Sequence, residues 1–443
     1  MLPRAASKPF CIHRCRQRLL VLPVGLFIAT VTMMMMLVRP SYGLATTSKR
    51  IAVIGGGASG IFASIAAATA ATTDNESSAT QVTVLEATSK TLAKVLISGG
   101  GRCNVLHDTG KTIPDILAGY PRGHRELNGP YHKGFSPMQA QQWFERHGVT
   151  LKTEADGRMF PITDSSQTVT DALGRAAQES GVKLKLRCKV NEIVANVDGK
   201  LHVSVTEKEN GASSEPVVHV FDSVILATGS APLGYQLASK LGHTIVSTVP
   251  SLFTLNAKEE IQPDGRFHEL AGLSVPWARV TLKVPGQKKP KQSLQEEGPL
   301  LITHHGLSGP AALRLSAFGA RAWHDMGYHG DVMVHWAPHL GTTDEIFEGL
   351  WKLTSLRPKK TIASVCPLPG AEDGSAIPRR LWASQCRAAG VEPDQVWGTV
   401  SKKIVRKLAM EVGECVVHVT GKGQFKEEFG VCDDAKEPLF RVN

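Results

Sequence analysis

The fold class of this chain is decided by residues 51–61, which read Ile-Ala-Val-Ile-Gly-Gly-Gly-Ala-Ser-Gly-Ile. Residues 51–54 form a short apolar, β-branched run that is typical of a buried parallel strand. Gly55, Gly57 and Gly60 then follow a G-x-G-x-x-G pattern. These glycines permit a tight turn, close approach to a pyrophosphate, and close packing of a helix on the strand. The stretch therefore predicts a dinucleotide-binding β-α-β unit.

The residues that follow fit the same unit. Ala58 to Ala71 is an alanine-rich segment that predicts a helix, and its first N–H groups, at Ala58 and Ser59, would face the phosphates. The next apolar run ends in Glu86, whose carboxylate can accept hydrogen bonds from both ribose hydroxyls. An acid at this position favours an unphosphorylated ribose, and therefore FAD or NAD over NADP.

A second glycine-rich stretch, residues 96–104, reads Leu-Ile-Ser-Gly-Gly-Gly-Arg-Cys-Asn. Arg102 and Asn104 could hydrogen-bond the phosphate, ribitol or ring carbonyls of a cofactor. The alternative is a structural loop that its glycines hold in shape. Cys103 has no second cysteine at short spacing, which favours a buried thiol over a redox role. We assign all three residues to the predicted cofactor site and leave the catalytic residues unknown.

The net charge of +10 does not predict a nucleic-acid partner. Eight of these charges lie in residues 1–50, which contain no acid, and the rest of the chain is close to neutral without a basic stripe. The histidines lack the H-E-x-x-H spacing of a zinc site, so no metal is predicted. We therefore expect a small-molecule substrate and no nucleic acid.

Residues 1–48 predict a targeting segment that stands outside the fold. A basic head precedes the uninterrupted apolar run Leu19 to Val38, whose twenty residues are enough to span a bilayer. Two interpretations stay open: a retained membrane anchor, or a signal peptide that is cleaved near Gly43 to Ala45. Both predict a membrane or secretory-pathway location, and a plastid location is a further alternative.

The rest of the chain divides into three predicted segments. Residues 49–243 fit a Rossmann-like dinucleotide-binding domain. Residues 244–410 show short alternating strands first and then a mainly helical, proline-broken pattern, which predicts an inserted domain. Residues 411–443 predict the start of a segment that returns to the first domain. The predicted class is therefore α/β.

In combination, these motifs resemble those of the YhiN/BaiN-type (aminoacetone oxidase-like) family of FAD-dependent oxidoreductases, in its plant and algal branch. The similarity runs from about residue 50 to residue 430. It rests on the two glycine-rich stretches and on four further motifs: residues 157–161 (Gly-Arg-Met-Phe-Pro), 226–229 (Leu-Ala-Thr-Gly), 303–310 (Thr-His-His-Gly-Leu-Ser-Gly-Pro) and 421–429 (Gly-Lys-Gly-Gln-Phe-Lys-Glu-Glu-Phe).

The resemblance implies a Rossmann-like FAD-binding domain of the two-dinucleotide-binding type, with an inserted β-barrel-like and helical domain. FAD would place its ADP half on residues 55–60 and Glu86, and its flavin half near residues 98–104. Val190 would contact the adenine side. The crossing near the pyrophosphate would be lined by Ala227, Thr228 and Gly229. The expected cofactors are FAD and, as electron donor, NAD(P)H.

One segment departs from the family pattern. In the family, the stretch matched by residues 426–429 leads into a glycine-rich segment and a final helix, whose N-terminus approaches the flavin ring. Residues 430–443 match none of this. The sequence therefore predicts that a C-terminal flavin-binding segment is missing and that FAD binding is weakened.

These observations predict an FAD-dependent oxidoreductase that acts on an unidentified small organic substrate. Two alternatives stay open, namely an NAD-dependent dehydrogenase without flavin and a truncated variant without catalytic activity. A flavoenzyme that modifies tRNA is a weaker alternative, because the body of the chain is close to neutral. His304 and His305 could donate protons to substrate or flavin, or could be loop histidines that only hydrogen-bond backbone groups.

Overall fold

The computed structural model describes residues 19–21, 48–73, 80–209, 212–287, 294–370, 377–423 and 431–432. The chain divides into two compact units, and the boundary between them lies between Ser247 and Thr248. Each unit is described by itself below.

The strands and helices are numbered in chain order. The strands are β1 (Leu19–Val21), β2 (Arg50–Ile54), β3 (Gln81–Leu85), β4 (Leu106–His107), β5 (Leu151–Thr153), β6 (Arg158–Pro161), β7 (Lys183–Lys185), β8 (Cys188–Ala195), β9 (Leu201–Glu209), β10 (Ala212–Ser213), β11 (Val217–Phe221), β12 (Ser223–Leu226), β13 (Val249–Pro250), β14 (Leu255–Asn256), β15 (Ser274–Lys283), β16 (Gln295–Ile302), β17 (Gly306–Ser308), β18 (Gly330–His335), β19 (Cys415–Val419), β20 (Gly421–Lys422) and β21 (Val431–Cys432). The helices are α1 (Ala58–Thr73), α2 (Ala93–Ile97), α3 (Ile113–Ala118), α4 (His124–Lys133), α5 (Pro137–Arg146), α6 (Ser166–Glu179), α7 (Pro232–Lys240), α8 (Lys258–Ile261), α9 (Pro310–Phe318), α10 (Ala320–Asp325), α11 (Thr343–Leu356), α12 (Arg379–Ala389) and α13 (Lys402–Gly413).

The first unit is built around a five-stranded parallel sheet with the order β1-β12-β2-β3-β7. Ala52 and Val53 of β2 are fully buried because both faces of the sheet are covered, as in other parallel sheets. Helix α1 packs on one face. On the other face, the antiparallel meander of β8, β9 and β11 shares a hydrophobic layer with β2 and β3. The predicted β-α-β unit and the Rossmann-type α/β class are therefore confirmed.

The strand order places a topological switch beside β2. The chain proceeds from β2 to β3 and β7 on one side of β2, whereas β12 pairs with β2 on its other side. In register, Ile54 lies opposite both Leu85 and Leu226. The residues that follow these three positions therefore meet at one level of the sheet edge. Ligands of open α/β sheets bind at such a switch, at the carboxyl ends of the strands.

One strand prediction is corrected by the structure. The alternating pattern over residues 182–188 predicts a single strand, but the chain forms β7 and β8 in two different sheets. Between them, Arg187 adopts a left-handed conformation with φ 56°, which breaks the extended backbone. The alternation is real in both pieces, but it cannot show which partner strand each piece takes.

The second unit contains a seven-stranded antiparallel sheet with the order β19-β18-β15-β16-β17-β14-β20. Helices α9 to α13 belong to the same unit, and its core includes the fully buried Trp323, Trp336 and Trp382. Strand β19 pairs with β18 within this sheet. Residues 415–422, which the sequence assigns to a returning segment of the first domain, thus lie in the second unit.

The predicted apolar span is only partly described. Its first three residues form β1, which pairs in parallel with β12. Residues 22–38 lie outside the described residues. Of the helices that the structure describes, none is long and apolar enough to cross a bilayer. Targeting to a membrane or to the secretory pathway stays a prediction.

Candidate dinucleotide-binding site

In the turn from β2 into α1, the backbone packs closely against neighbouring backbone segments. Gly55 has φ 107°, in the region that favours glycine. A Cβ on Gly55 would overlap the carbonyl oxygen of Ala227, and a Cβ on Gly60 would overlap the carbonyl oxygen of Gly55. By contrast, a Cβ added at Gly57 would meet no atom within 4 Å. The loop is tightly packed on its inner side and open at Gly57, as close approach of a pyrophosphate requires.

The start of α1 adds a favourable field for an anion. Ala58 and Ser59 are half-buried in its first turn, which carries no acidic residue. The N–H of Ile61 donates to the carbonyl oxygen of Gly57 at 2.9 Å, so the intrahelical bonds begin there. The preceding N–H groups have no partner within the helix, and the helix dipole favours negative charge at this end.

Glu86 is held in place by the loops around it. Its Oε2 accepts a hydrogen bond from the backbone N–H of Gly56 at 2.7 Å. Its Oε1 accepts two, from the backbone N–H and the hydroxyl of Thr88, each at 2.7 Å. A carboxylate has about four lone-pair sites, so Oε2 keeps capacity for another donor. The half-buried carboxylate is thus oriented in advance as an acceptor for ribose hydroxyls.

The end of β12 closes the other side of the switch. The N–H of Ala227 donates to the carbonyl oxygen of Ile54 at 2.8 Å, and Ala227 is only 3% exposed. Gly229 has φ 62°, and Thr228 packs so closely on Gly234 that a Cβ there would overlap the Thr228 hydroxyl. The structure therefore brings Ala227, Thr228 and Gly229 next to the glycine loop of residues 55–60.

The second glycine-rich stretch forms a left-handed turn. Gly99, Gly100 and Gly101 have φ values of 57°, 70° and 83°, and Cys103 has φ 61°. The N–H of Cys103 donates to the carbonyl oxygen of Ser98 at 3.0 Å. Burial raises the pKa of the Cys103 thiol, which therefore stays protonated near neutral pH.

The exposed Asn104 follows this turn. With its amide oriented to satisfy the nearby carbonyls, its side-chain nitrogen donates to Leu106 O at 2.9 Å and to Met159 O at 3.3 Å. These contacts fasten the end of the loop to β4 and β6.

Arg102 is held by protein groups in this structure. Its guanidinium donates to Glu154 Oε1 at 2.5 Å and to Asp164 Oδ1 at 2.9 Å. Its Cζ lies 4.0 Å from the centroid of the buried Phe160 ring, which Arg158 approaches at 5.4 Å. The sequence assigns Arg102 to cofactor contact, whereas its contacts here fasten the glycine loop to β6.

Replacing Arg102 by methionine is expected to loosen this loop without unfolding the unit. Methionine keeps the apolar stem but loses both ion pairs, while Lys152 and Arg158 still pair with the two acids. We expect the amides of residues 99–103 to exchange hydrogen roughly tenfold faster, as measured by hydrogen–deuterium exchange with mass spectrometry. Arg158→Met is the matched control and should change the exchange less. Equal effects from both variants would contradict the role of Arg102.

The remaining predicted residues are Val190, in the first unit, and His304 and His305, in the second. Val190 is 3% exposed, and its side chain lies in the hydrophobic layer between the sheet and the meander, so only its backbone is left for an adenine. His304 and His305 are exposed in the turn between β16 and β17 of the second unit. The N–H of His305 donates to Thr303 Oγ1 at 3.2 Å.

Sequence reasoning missed two residues of the site. The first is Thr88. A threonine two positions after an acidic residue is a turn signal, and this signal could have identified Thr88 from the sequence. The second is Leu92, which has φ 57° and whose N–H donates to the carbonyl oxygen of Gly56 at 2.8 Å. Nothing in the sequence indicates this left-handed leucine. Among the described residues, no group of three potential metal ligands occurs.

Comparison with known proteins gives one family match. The family model described as HI0933-like protein Rossmann domain matches residues 49–422. The 3-dehydro-bile acid delta(4,6)-reductase of Clostridium scindens is 26% identical over 291 residues, covering 66% of this chain and 65% of the relative. The ribosomal RNA dihydrouridine synthase of Escherichia coli is 28% identical over 278 residues, covering 60% of each chain. The chain thus spans less than two thirds of the length of both relatives.

The chain is also similar to solved structures, one of which aligns with most of its length. The 3-ketosteroid-delta4-(5alpha)-dehydrogenase from Rhodococcus jostii RHA1, in complex with 4-androstene-3,17-dione, aligns with 84% of this chain and 83% of its own. The sequence identity is 14% and the TM-score is 0.38.

Proposed function

This chain belongs to the HI0933-like Rossmann family, and from that premise we propose that it is an FAD-dependent oxidoreductase that reduces a carbon–carbon double bond conjugated to a carbonyl group. The observation that carries the proposal is the meeting of three strand ends. Gly55, Glu86 and Ala227 stand at one level of the parallel sheet, around a glycine loop that is open at Gly57.

The residues at this edge fit the ADP half of FAD. The amides of residues 55–60 and the start of α1 suit a diphosphate, and the spare acceptor capacity of Glu86 suits a ribose hydroxyl. The bound flavin would supply a centre that accepts and donates electron pairs. The protein groups bind and orient it.

The names of the two relatives support the reaction class. A 3-dehydro bile acid with a Δ4 double bond is an enone, and dihydrouridine is uridine with two hydrogens added across C5 and C6, beside the C4 carbonyl. Both changes add two electrons and two protons to a double bond that is conjugated to a carbonyl. We propose the same net change here, with NAD(P)H as the source of electrons.

The test begins with the purified full chain. We expect a yellow protein whose released chromophore is FAD, and NAD(P)H-dependent loss of the ultraviolet absorbance of a 3-oxo-Δ4 steroid under anaerobic conditions. A colourless protein that oxidises substrates with added NAD alone would instead support the NAD-dependent alternative. A flavin-loaded protein that oxidises amines but reduces no conjugated double bond would overturn the proposed reaction.

Glu86→Gln is expected to weaken FAD binding by about 10- to 100-fold. A hydrogen bond to a charged group contributes about 1.5–3 kcal/mol, and each 1.4 kcal/mol is about tenfold in affinity. The amide keeps the shape of the carboxylate but turns one acceptor into a donor. Titration of the apoprotein with FAD, followed by flavin fluorescence, measures the change. Glu179→Gln, at an exposed position in α6, should leave the affinity unchanged.

A further inference from the structure

A pocket opens on the surface of the first unit, beside the loop that follows Glu86. Its volume is about 350 Å³, within the range of about 300–1,000 Å³ that is usual for small-molecule pockets. Three separate parts of the chain form its lining: Ser89, Leu186 with Arg187, and Glu207 with Lys208. The pocket is therefore built by the fold and not by a single loop.

Backbone hydrogen bonds fix this pocket next to Glu86. The N–H of Arg187 donates to the carbonyl oxygen of Thr88 at 2.8 Å, and the N–H of Cys188 donates to that of Glu86 at 2.8 Å. The N–H of Lys208 in turn donates to the carbonyl oxygen of Arg187 at 3.0 Å. The lining segments are thus joined to the same turn that orients the Glu86 carboxylate.

The Glu86 carboxylate connects the glycine loop of residues 55–60 with the pocket. Its Oε2 accepts from the N–H of Gly56 in that loop, whereas its Oε1 accepts from Thr88, the residue before Ser89. A nucleotide carries its base at the opposite end of the ribose from its diphosphate. With the diphosphate on the glycine loop and the ribose on Glu86, the base would extend towards Thr88 and the pocket.

The conformation of Arg187 is unfavourable for an arginine. Its φ of 56° is left-handed, which crowds the Cβ atom of any residue other than glycine. Its side chain is exposed, and among the residues that the structure describes no carboxylate forms an ion pair with it. Neither the backbone nor an ion pair explains this residue, and strained positions of this kind are often part of ligand sites.

The side chains of the pocket suit a flat aromatic base with an amino group. The planar guanidinium of Arg187 can stack on an aromatic ring, and Leu186 is 42% exposed as an apolar neighbour. The Glu207 carboxylate accepts from Lys185 Nζ at 3.0 Å and keeps capacity for a further donor, such as an amino group. The Ser89 hydroxyl can donate to a ring nitrogen.

We propose that this pocket holds the adenine base of the bound dinucleotide, and that the Arg187 guanidinium stacks on the adenine ring. The proposal rests on the proposed function, in which the dinucleotide is FAD. A phosphate group on the adenosine ribose is the other occupant that Arg187 and Lys208 could attract. The Glu207 carboxylate in the same lining disfavours that anion.

The test measures binding of ADP to the flavin-free full chain by isothermal titration calorimetry. Arg187→Gly is expected to weaken ADP binding by about 5- to 30-fold, which corresponds to a cation–π contribution of about 1–2 kcal/mol. The thermal unfolding temperature should stay the same or rise, because glycine suits the left-handed backbone. A variant that loses both stability and ADP affinity would show that Arg187 acts on the fold, and the proposal would be wrong.

Two control variants separate stacking from charge and from backbone strain. Lys208→Gln removes the other cation of the lining but no planar group, and it should weaken ADP binding clearly less than Arg187→Gly. Glu269→Gly replaces another exposed left-handed residue, with φ 59°, in the second unit. It should leave the affinity for ADP unchanged.

A second pair of ligands tests the alternative occupant. Adenosine 2′,5′-bisphosphate differs from AMP by the phosphate on the ribose, and we expect it to bind no more tightly than AMP. Tighter binding of the bisphosphate, or equal losses of ADP affinity from Arg187→Gly and Lys208→Gln, would show that the pocket attracts a phosphate. Either result would overturn the proposal.

The outcomes also separate this proposal from the proposed function. An unchanged ADP affinity in Arg187→Gly, or no ADP binding to the unsubstituted chain, would overturn the adenine pocket. The proposed function would survive either result, provided that the purified chain carries FAD and reduces the 3-oxo-Δ4 steroid. If the chain carries no flavin and reduces no steroid, but binds ADP in a manner that depends on Arg187, the proposed function fails and the adenine pocket stands.

Discussion

Gly60→Ala is expected to weaken FAD binding by up to about 100-fold and to destabilise the first unit. A Cβ at this position would overlap the carbonyl oxygen of Gly55 and lie 3.3 Å from the Ala227 side chain. Neither backbone can yield easily, because α1 is packed on the sheet and β12 is paired with β2. Such overpacking raises the free energy of the folded loop by about 1–3 kcal/mol. If FAD binding requires the native loop conformation, a cost of about 3 kcal/mol lowers the affinity for FAD by about 100-fold.

Two further glycine variants make this result specific. Gly174→Ala lies inside α6, where a Cβ meets nothing within 4 Å, and should stabilise the helix by about 0.5–1 kcal/mol without changing FAD binding. Gly57→Ala should leave the fold intact, because its Cβ enters open space, and yet weaken FAD binding by filling that space. Thermal unfolding and FAD titration measure both effects. Near-normal affinity in Gly60→Ala would show that the close helix–strand approach is not needed.

Arg266→Met is expected to destabilise the second unit by about 3 kcal/mol. Arg266 makes a double hydrogen bond to Glu260, at 2.9 and 2.7 Å, and another to Glu411 at 3.2 Å. The Glu260 side chain is only 7% exposed. Removing one partner of a buried pair typically costs about 3–5 kcal/mol, and the partial exposure of Arg266 places this case at the lower end.

The nearby thiol cannot take over the role of the arginine. Burial raises the pKa of Cys415 to about 12, so the thiol stays neutral beside the two carboxylates. Urea unfolding followed by tryptophan fluorescence measures the loss, because six of the seven tryptophans lie in the second unit. Adding Glu260→Gln to Arg266→Met should recover part of the stability. Arg279→Met, whose partner Glu297 is one-third exposed, should cost less than about 1 kcal/mol. Equal losses in Arg266→Met and Arg279→Met would contradict the argument.

The elements that sequence reasoning found are those with local signals. The predicted strand at residues 51–54 and the predicted helix from Ala58 match β2 and α1. Likewise, a serine followed by proline is a sequence signal for a helix start, and Ser136 caps α5 in a capping box with Gln139. Glycine spacing, capping residues and apolar periodicity act within a few residues, and so they can be read from the chain directly.

Contacts between distant residues could not be predicted in this way. Strand β18 lies in a region whose pattern predicts mainly helical and irregular structure, and its partner β15 ends at Lys283, well before it in the chain. The partners of Arg102 are 52 and 62 residues away from it. A guanidinium in a glycine-rich loop is equally suited to a cofactor or to a carboxylate. Only the fold shows which protein groups it meets.

In the second unit, strand β14 near the start of the sheet sequence and strand β20 near its end lie side by side. Leu255 and Asn256 of β14 pair with Lys422 and Gly421 of β20, at the usual strand spacing of about 4.8 Å. The backbone of Gly423 also donates to Thr254 at 2.9 Å, just outside this pair. Domain insertions are best tolerated where the ends of the inserted segment are close together. Residues 257–420 therefore have the geometry of an inserted segment whose two ends meet at one place. Such a segment can be replaced there by another one, or removed by joining β14 directly to β20 as a hairpin.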